Sequence, residues 1–138
     1  MHSYIKEKPI VLVVDDDATC LFLATLILHE TKLAQRIYTA RNGAEALDWL
    51  EKRLVDSPLD AACPTLIFLD INMPVMDGFE LLETLKDRPD VDMSHTQIIL
   101  LSSSTHIKDK EKALTYAVSG FLQKPLSKEK LRDLPAIF

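Results

Sequence analysis

Two unbroken apolar runs in this chain end on acid: Ile10 to Val14 leads into Asp15, Asp16 and Asp17, and Leu66 to Leu69 leads into Asp70. A short run with no polar face has nothing to offer solvent. As a strand it must be covered on both sides, which is the condition of central strands in a parallel α/β sheet. Parallel strands deliver their C-terminal ends to one edge of the sheet, where ligands collect at a topological switch point. Asp15, Asp16 and Asp70 are therefore expected to meet there. Crowded carboxylates raise one another's pKa unless a cation lies among them. Mg²⁺ accepts one or two carboxylates and keeps waters for a phosphate ligand, so the pattern points to metal-assisted phosphoryl chemistry.

The rest of the chain repeats the alternation of strand and helix that builds a parallel sheet. After the Ile10 to Val14 strand, a helix is expected from Ala18 to about Thr31, with Asp17 as its N-cap. A short strand around Arg36 to Thr39 follows, and then a helix beginning after Asn42-Gly43 with Ala44, Leu47, Leu50 and Leu54 at helical spacing. A longer loop, Val55 to Pro64, leads to the third strand, Thr65 to Leu69, and a third helix starts near Asp77-Gly78 and ends before Pro89. The fourth strand is placed at Gln97 to Leu101, the fourth helix at about Ile107 to Val118, and the fifth strand at Gly120 to Gln123. The fifth helix begins at Ser127 and is short, because Pro135 cannot continue it. The strands read as apolar almost throughout, as expected for a sheet with helices on both faces.

Composition narrows the function classes. At 138 residues the chain is near the commonest domain size and can build one core without disulfides or structural metal. One domain spanning 1–138 is expected, with its core at about 9–134 and no output domain. The formal charge of −5 lacks the basic surplus of a nucleic-acid face. The N-terminal segment has no apolar signal region, and the longest hydrophobic stretch, Leu21 to Leu28, is too short to span a bilayer. A cytoplasmic protein with no nucleic-acid or membrane partner is expected. Cys20 and Cys63 fall near opposite ends of such a sheet, so no disulfide is expected. His2, His29, His95 and His106 have no spacing suited to zinc.

The strand ends thus carry Asp15 and Asp16, then Asp70, then Ser102, then Lys124-Pro125. In VLVVDDD, LIFLDINMPVMDGFELL, IILLSS and GFLQKPLS the chain resembles the receiver domain of two-component response regulators, over roughly Pro9 to Leu134. The resemblance implies a flavodoxin-like, doubly wound sheet of five parallel strands in the order 2-1-3-4-5. It implies that Asp70 is a phosphoacceptor, attacking a phosphohistidine of a sensor histidine kinase or a histidine phosphotransfer protein to give an aspartyl phosphate. Mg²⁺ would be held by Asp15, Asp16, Asp70 and the backbone carbonyl of Asn72. Lys124 and Ser102 would stabilise the transferring phosphoryl group. Ser102 and Phe121 would form the switch, and the Lys124-Pro125 bond would be cis. By the same resemblance Ser103, after the switch serine, and Asn72, two beyond the acceptor, would border the attacking water.

Several of these residues also have a plain structural reading. Asp17 suits a helix cap, Ser103 and Ser104 suit polar loop positions, and a strand aromatic such as Phe121 normally packs. The function expected is a single-domain response regulator that binds a downstream protein in its phosphorylated form. It would not be an enzyme beyond its own phosphorylation and dephosphorylation. A monomer or weak dimer is expected, since the fifth helix is short. A phosphorelay shuttle to a histidine phosphotransfer protein fits the residues equally. A phosphatase of the haloacid dehalogenase type would need a general acid two residues after its nucleophile, and Asn72 cannot be one.

Overall fold

The computed structural model describes residues 8–57, 63–103 and 107–134. The readings made above for residues 1–7, for the middle of the 55–64 loop, for Ser104 and His106 and for Pro135 lie outside them. Five strands, β1 (Ile10–Val14), β2 (Arg36–Ala40), β3 (Thr65–Asp70), β4 (Thr96–Ser102) and β5 (Gly120–Gln123), form one sheet in the order β2-β1-β3-β4-β5, every adjacent pair parallel. Among the described residues five helices alternate with them: α1 (Ala18–Thr31), α2 (Gly43–Leu54), α3 (Gly78–Lys86), α4 (Ile107–Ala113) and α5 (Lys128–Arg132). This is the flavodoxin-like arrangement. Among the described residues no helix is long and apolar enough to cross a membrane.

Side chains alternate between the faces of a strand, and two cores result. Leu12, Val14, Ile67, Leu69, Ile98 and Leu100 pack with residues of α2, α3 and α4 on one face. Val11, Val13, Leu66, Phe68, Ile99 and Leu101 pack with α1 and α5 on the other. Each large side chain so buried contributes about 1.5–3 kcal/mol. The helices begin where their caps dictate. The Asp17 side chain accepts the N–H groups of Thr19 and Cys20, Asn42 accepts from Glu45, and Ser127 accepts from Lys130. At α3, Asp77 and Glu80 close a reciprocal capping box.

Register brings the acids level. Val14 of β1 lies opposite Leu69 of β3, so Asp15 and Asp70, the next residues in adjacent strands, emerge side by side. Asp70 in turn lies opposite Leu101, one residue before Ser102, and Ser102 lies opposite Gln123, one residue before Lys124.

Three sequence expectations are corrected. The covering of the strands on both faces fails at the two edges, at β2, where Arg36, Tyr38 and Thr39 are exposed, and at β5, where no residue is fully buried, because each has a neighbour on one side only. α2 begins at Gly43 itself, with Asn42 as its cap. α4 ends at Ala113, not near Val118. Beyond Ala113 the chain tightens: Thr115 returns both its N–H and its hydroxyl to the carbonyl of Lys112, and Tyr116 N–H bonds to the Ala113 carbonyl. A threonine side chain that bonds to a nearby carbonyl competes with regular helix, and the apolar spacing of Ala113, Ala117 and Val118 had masked that end.

Candidate functional site

The acid cluster forms at the C-terminal edge of β1 and β3. Carboxylate oxygens of Asp15, Asp16 and Asp70 all lie within 4.8 Å of one another. Asp15 and Asp70 are 2% and 3% exposed, low enough that each needs compensation for its charge. Asp15 Oδ1 accepts the N–H of Asp17 at 2.9 Å, and Asp70 Oδ1 accepts the N–H of Asn72 at 3.2 Å. Lys124 Nζ bridges the pair, 2.6 Å from Asp15 Oδ2 and 3.1 Å from Asp70 Oδ2. Asp16 stands at the solvent edge and makes no ion pair among the described residues.

The electrostatics follow from this packing. Burial pushes the Asp70 carboxyl above its ordinary range and the nearby Asp15 charge pushes the same way, while the charge and hydrogen bond of Lys124 and the Asn72 N–H only partly offset them. For Lys124, burial alone would favour the neutral amine, but the hydrogen bond to Asp15 and the charge of Asp70 outweigh it and hold the ammonium protonated. The cluster thus holds three carboxylates and one ammonium, which contacts two of them. An all-oxygen set with one member open to solvent suits a hard cation that keeps some of its waters, so the residues present fit Mg²⁺.

The other residues singled out in the sequence fall around this cluster. Ser102 ends β4, fully buried, and its carbonyl accepts the Lys124 N–H at 2.7 Å. That bond ties the base of the lysine to the strand that carries the serine. The Lys124-Pro125 peptide bond is cis. Phe121 lies opposite Leu100, half-buried against the core shared with α3 and α4, and is not brought to the acids. Asn72 is exposed beside Asp70, and Asp17 serves as the α1 cap. A cavity of about 390 Å³ opens beside Asp15 and Lys124, lined also by Leu23, Ser103 and Pro125.

Some residues that shape the site carried no signal of that role. Gly78 has no room for a side chain: a Cβ there would come within 2.6 Å of the Asp70 carbonyl oxygen. Only glycine lets α3 start against the backbone of Asp70. Gly43 is held in the same way, its Cβ position 2.7 Å from the Met76 carbonyl, which its own N–H already bonds at 2.8 Å. These contacts fix the loop between β3 and α3, in which Val75 takes a φ of 75° and the Met76 N–H turns back to the Pro74 carbonyl. A β-branched residue at positive φ is strained, by about 1–3 kcal/mol. Arg41 Nη2 donates to the Asp16 carbonyl at 3.2 Å, linking the start of α2 to the turn that presents Asp16.

Known proteins share this arrangement. A profile of the response regulator receiver domain matches residues 11–135. The heme response regulator HssR of Staphylococcus epidermidis is 32% identical over 120 residues, covering 87% of this chain and 46% of the relative. Protein PilG of Pseudomonas aeruginosa is 32% identical over 121 residues, covering 88% and 80%. The chain spans about half the length of the first of these relatives. The crystal structure of a two-component response regulator from Cytophaga hutchinsonii superposes with a TM-score of 0.82 at 31% identity, covering 94% of this chain and 95% of that one.

Proposed function

The chain belongs to the response regulator receiver domain family, and on that premise we propose that Asp70 accepts a phosphoryl group from a phosphohistidine of a sensor histidine kinase or a phosphotransfer protein. The observation that carries the reading is the Lys124 ammonium set between Asp15 and Asp70 at the joint end of two buried strands. In the transfer, one Asp70 oxygen forms the new O–P bond as the donor's N–P bond breaks. The bonding pair stays on the imidazole nitrogen. Asp15, Asp16, Asp70 and the Asn72 carbonyl would hold Mg²⁺, which when bound neutralises charge on the phosphoryl oxygens. Lys124 adds a second positive charge on the protein side, already pre-positioned by its two carboxylate partners. The Ser102 hydroxyl donates to a phosphoryl oxygen, and its inward movement leaves room for Phe121 to turn toward the core.

Phosphorylation then controls binding to a downstream protein target, with the receiver acting in the cytoplasm, monomeric or weakly dimeric, and without nucleic-acid or membrane contacts. A phosphorelay shuttle is the second reading, and one observation favours it. Helix α1 buries Leu21, Ala24 and Leu28 but leaves Phe22, Leu23 and Leu26 at 66%, 48% and 44% exposure, close to the acid cluster. Leu23 of this patch lines the cavity beside Asp15 and Lys124, and an exposed apolar patch there suits a protein donor or acceptor. The test is intact mass after incubation with Mg²⁺ and a small phosphodonor. The wild type should gain one base-labile phosphoryl group and Asp70→Asn should gain none. Equal uptake by the variant would overturn the assignment.

A further inference from the structure

The face of β4 that presents Ser102 near the acid cluster presents Thr96 at its other end, since side chains an even number of residues apart share a face. There a second cavity, of about 410 Å³, lies between β4, the C-terminal half of α3 and the segment that follows α4. This volume is within the range of small-molecule sites. Leu82, Leu85, Met93 and Ile98 make it apolar, and Lys86 and Thr96 also line it. The Thr96 hydroxyl oxygen is buried and has no hydrogen-bond partner among the described residues. Buried hydroxyls without a partner are unusual and call for an occupant, and rotation about χ1 exchanges the hydroxyl with the methyl group of the same side chain. Lys86 makes no ion pair among the described residues; its ammonium sits 5.9 Å from the centre of the Tyr116 ring. Glu83, the nearest acid on the same helix face, is engaged by the Tyr116 hydroxyl at 2.8 Å.

An apolar chamber with one donor hydroxyl and one ammonium that has no ion-pair partner among the described residues complements an apolar body that ends in an anionic acceptor. We propose that this cavity binds a small apolar carboxylic acid, its hydrocarbon part among Leu82, Leu85, Met93 and Ile98 and its carboxylate between Lys86 and the rotated Thr96 hydroxyl. A charged, hydrogen-bonded carboxylate is worth more than a neutral hydroxyl on the same chain, so the anion is the preferred head group. The cavity contains no residue of the acid cluster.

The experiment is an NMR titration of the full chain with octanoate and, separately, 1-octanol, following the methyl groups of Leu82, Leu85, Met93 and Ile98. Octanoate should shift these signals saturably and bind at least about tenfold tighter than octanol. Lys86→Gln should bring the two affinities together, and Thr96→Val, which keeps the shape and removes only the hydroxyl, should weaken octanoate more than octanol. No saturable shift at these methyls would overturn the proposal, leaving water as the partner of Thr96. Equal affinity of the wild type for the two probes, or an undiminished preference in Lys86→Gln, would overturn it too. Because the readout involves no phosphoryl donor, a negative result here leaves the Asp70 reading untouched, and the reverse holds as well.

Discussion

β1 and β3 occupy the middle of the sheet and every residue in both is buried, whereas β5 lies at the edge, none of its four residues is fully buried, and the helix that precedes it spans only Ile107–Ala113. The three acids come from the first region. Phe121, for which a switch role is proposed, sits in the second, and Lys124 reaches back from just beyond it. Local opening costs least where few apolar contacts hold an element. The contrast suggests a division in which the chemistry stands on strands that do not move and the response is carried by an edge that can.

Replacing the largest side chain in each region tests the contrast most severely. Phe68→Ala, at the centre of β3 and fully buried, should cost about 3–5 kcal/mol in urea denaturation. Phe121→Ala, half-buried on β5, should cost about 1 kcal/mol, roughly half of a full burial. Similar losses would erase the distinction between the two regions. At the proposed metal ligands the readout is affinity: Asp16→Ala should weaken Mg²⁺ binding by at least about tenfold, or about 1.4 kcal/mol. Phe121→Ala should leave that affinity unchanged, and calorimetric titration of both variants checks the pair.

Asp70→Asn should act in the opposite direction and raise the melting temperature in the absence of divalent cations, because the folded protein disfavours the charged form of this carboxyl. The sign of the pH dependence follows. With its folded-state pKa raised above 3.8, Asp70 binds its proton more tightly folded than unfolded, so its contribution is full below 3.8 and is lost as pH rises through the folded pKa. Across that range the wild type should lose stability relative to Asp70→Asn as pH rises; parallel curves would contradict the tighter proton binding of Asp70 in the folded state. The smallest change belongs to the edge: Leu114→Gln, at a side chain 78% exposed just past α4, should alter stability by less than about 0.5 kcal/mol.

The same two regions differ in how far the sequence alone disclosed them. Ile10 to Val14 and Leu66 to Leu69 have no polar position, so strand, burial and acid-bearing end followed from one pattern, and the register then put Asp15 beside Asp70. The α4 end was hidden because the chain tightens there, with the Thr115 N–H and hydroxyl both returned to the Lys112 carbonyl, while the apolar spacing runs on. Gly43 and Gly78 were legible as turn residues but not as contacts, since what excludes a side chain at each is a backbone carbonyl brought near by the fold, from Met76 and Asp70. The link from Arg41 to the Asp16 carbonyl and the unpaired Thr96 hydroxyl likewise arise between segments distant in sequence. The family resemblance named residue roles that local pattern could not, above all for Lys124, which by itself reads as a solvated lysine beside a proline.

The division between a fixed site and a responsive edge is tested most directly by amide resonances recorded with Mg²⁺ before and after addition of beryllofluoride, a phosphoryl mimic. A switch is a two-state equilibrium, so the mimic moves it only if it binds one state better than the other. The expected result is a set of shifts running from Ser102 through α4 to Phe121, well beyond the ligand's neighbours, while the interiors of β1 and β3 stay in place. Shifts confined to Asp15, Asp16, Asp70 and the residues next to them would contradict the switch and favour a receiver that only relays the phosphoryl group.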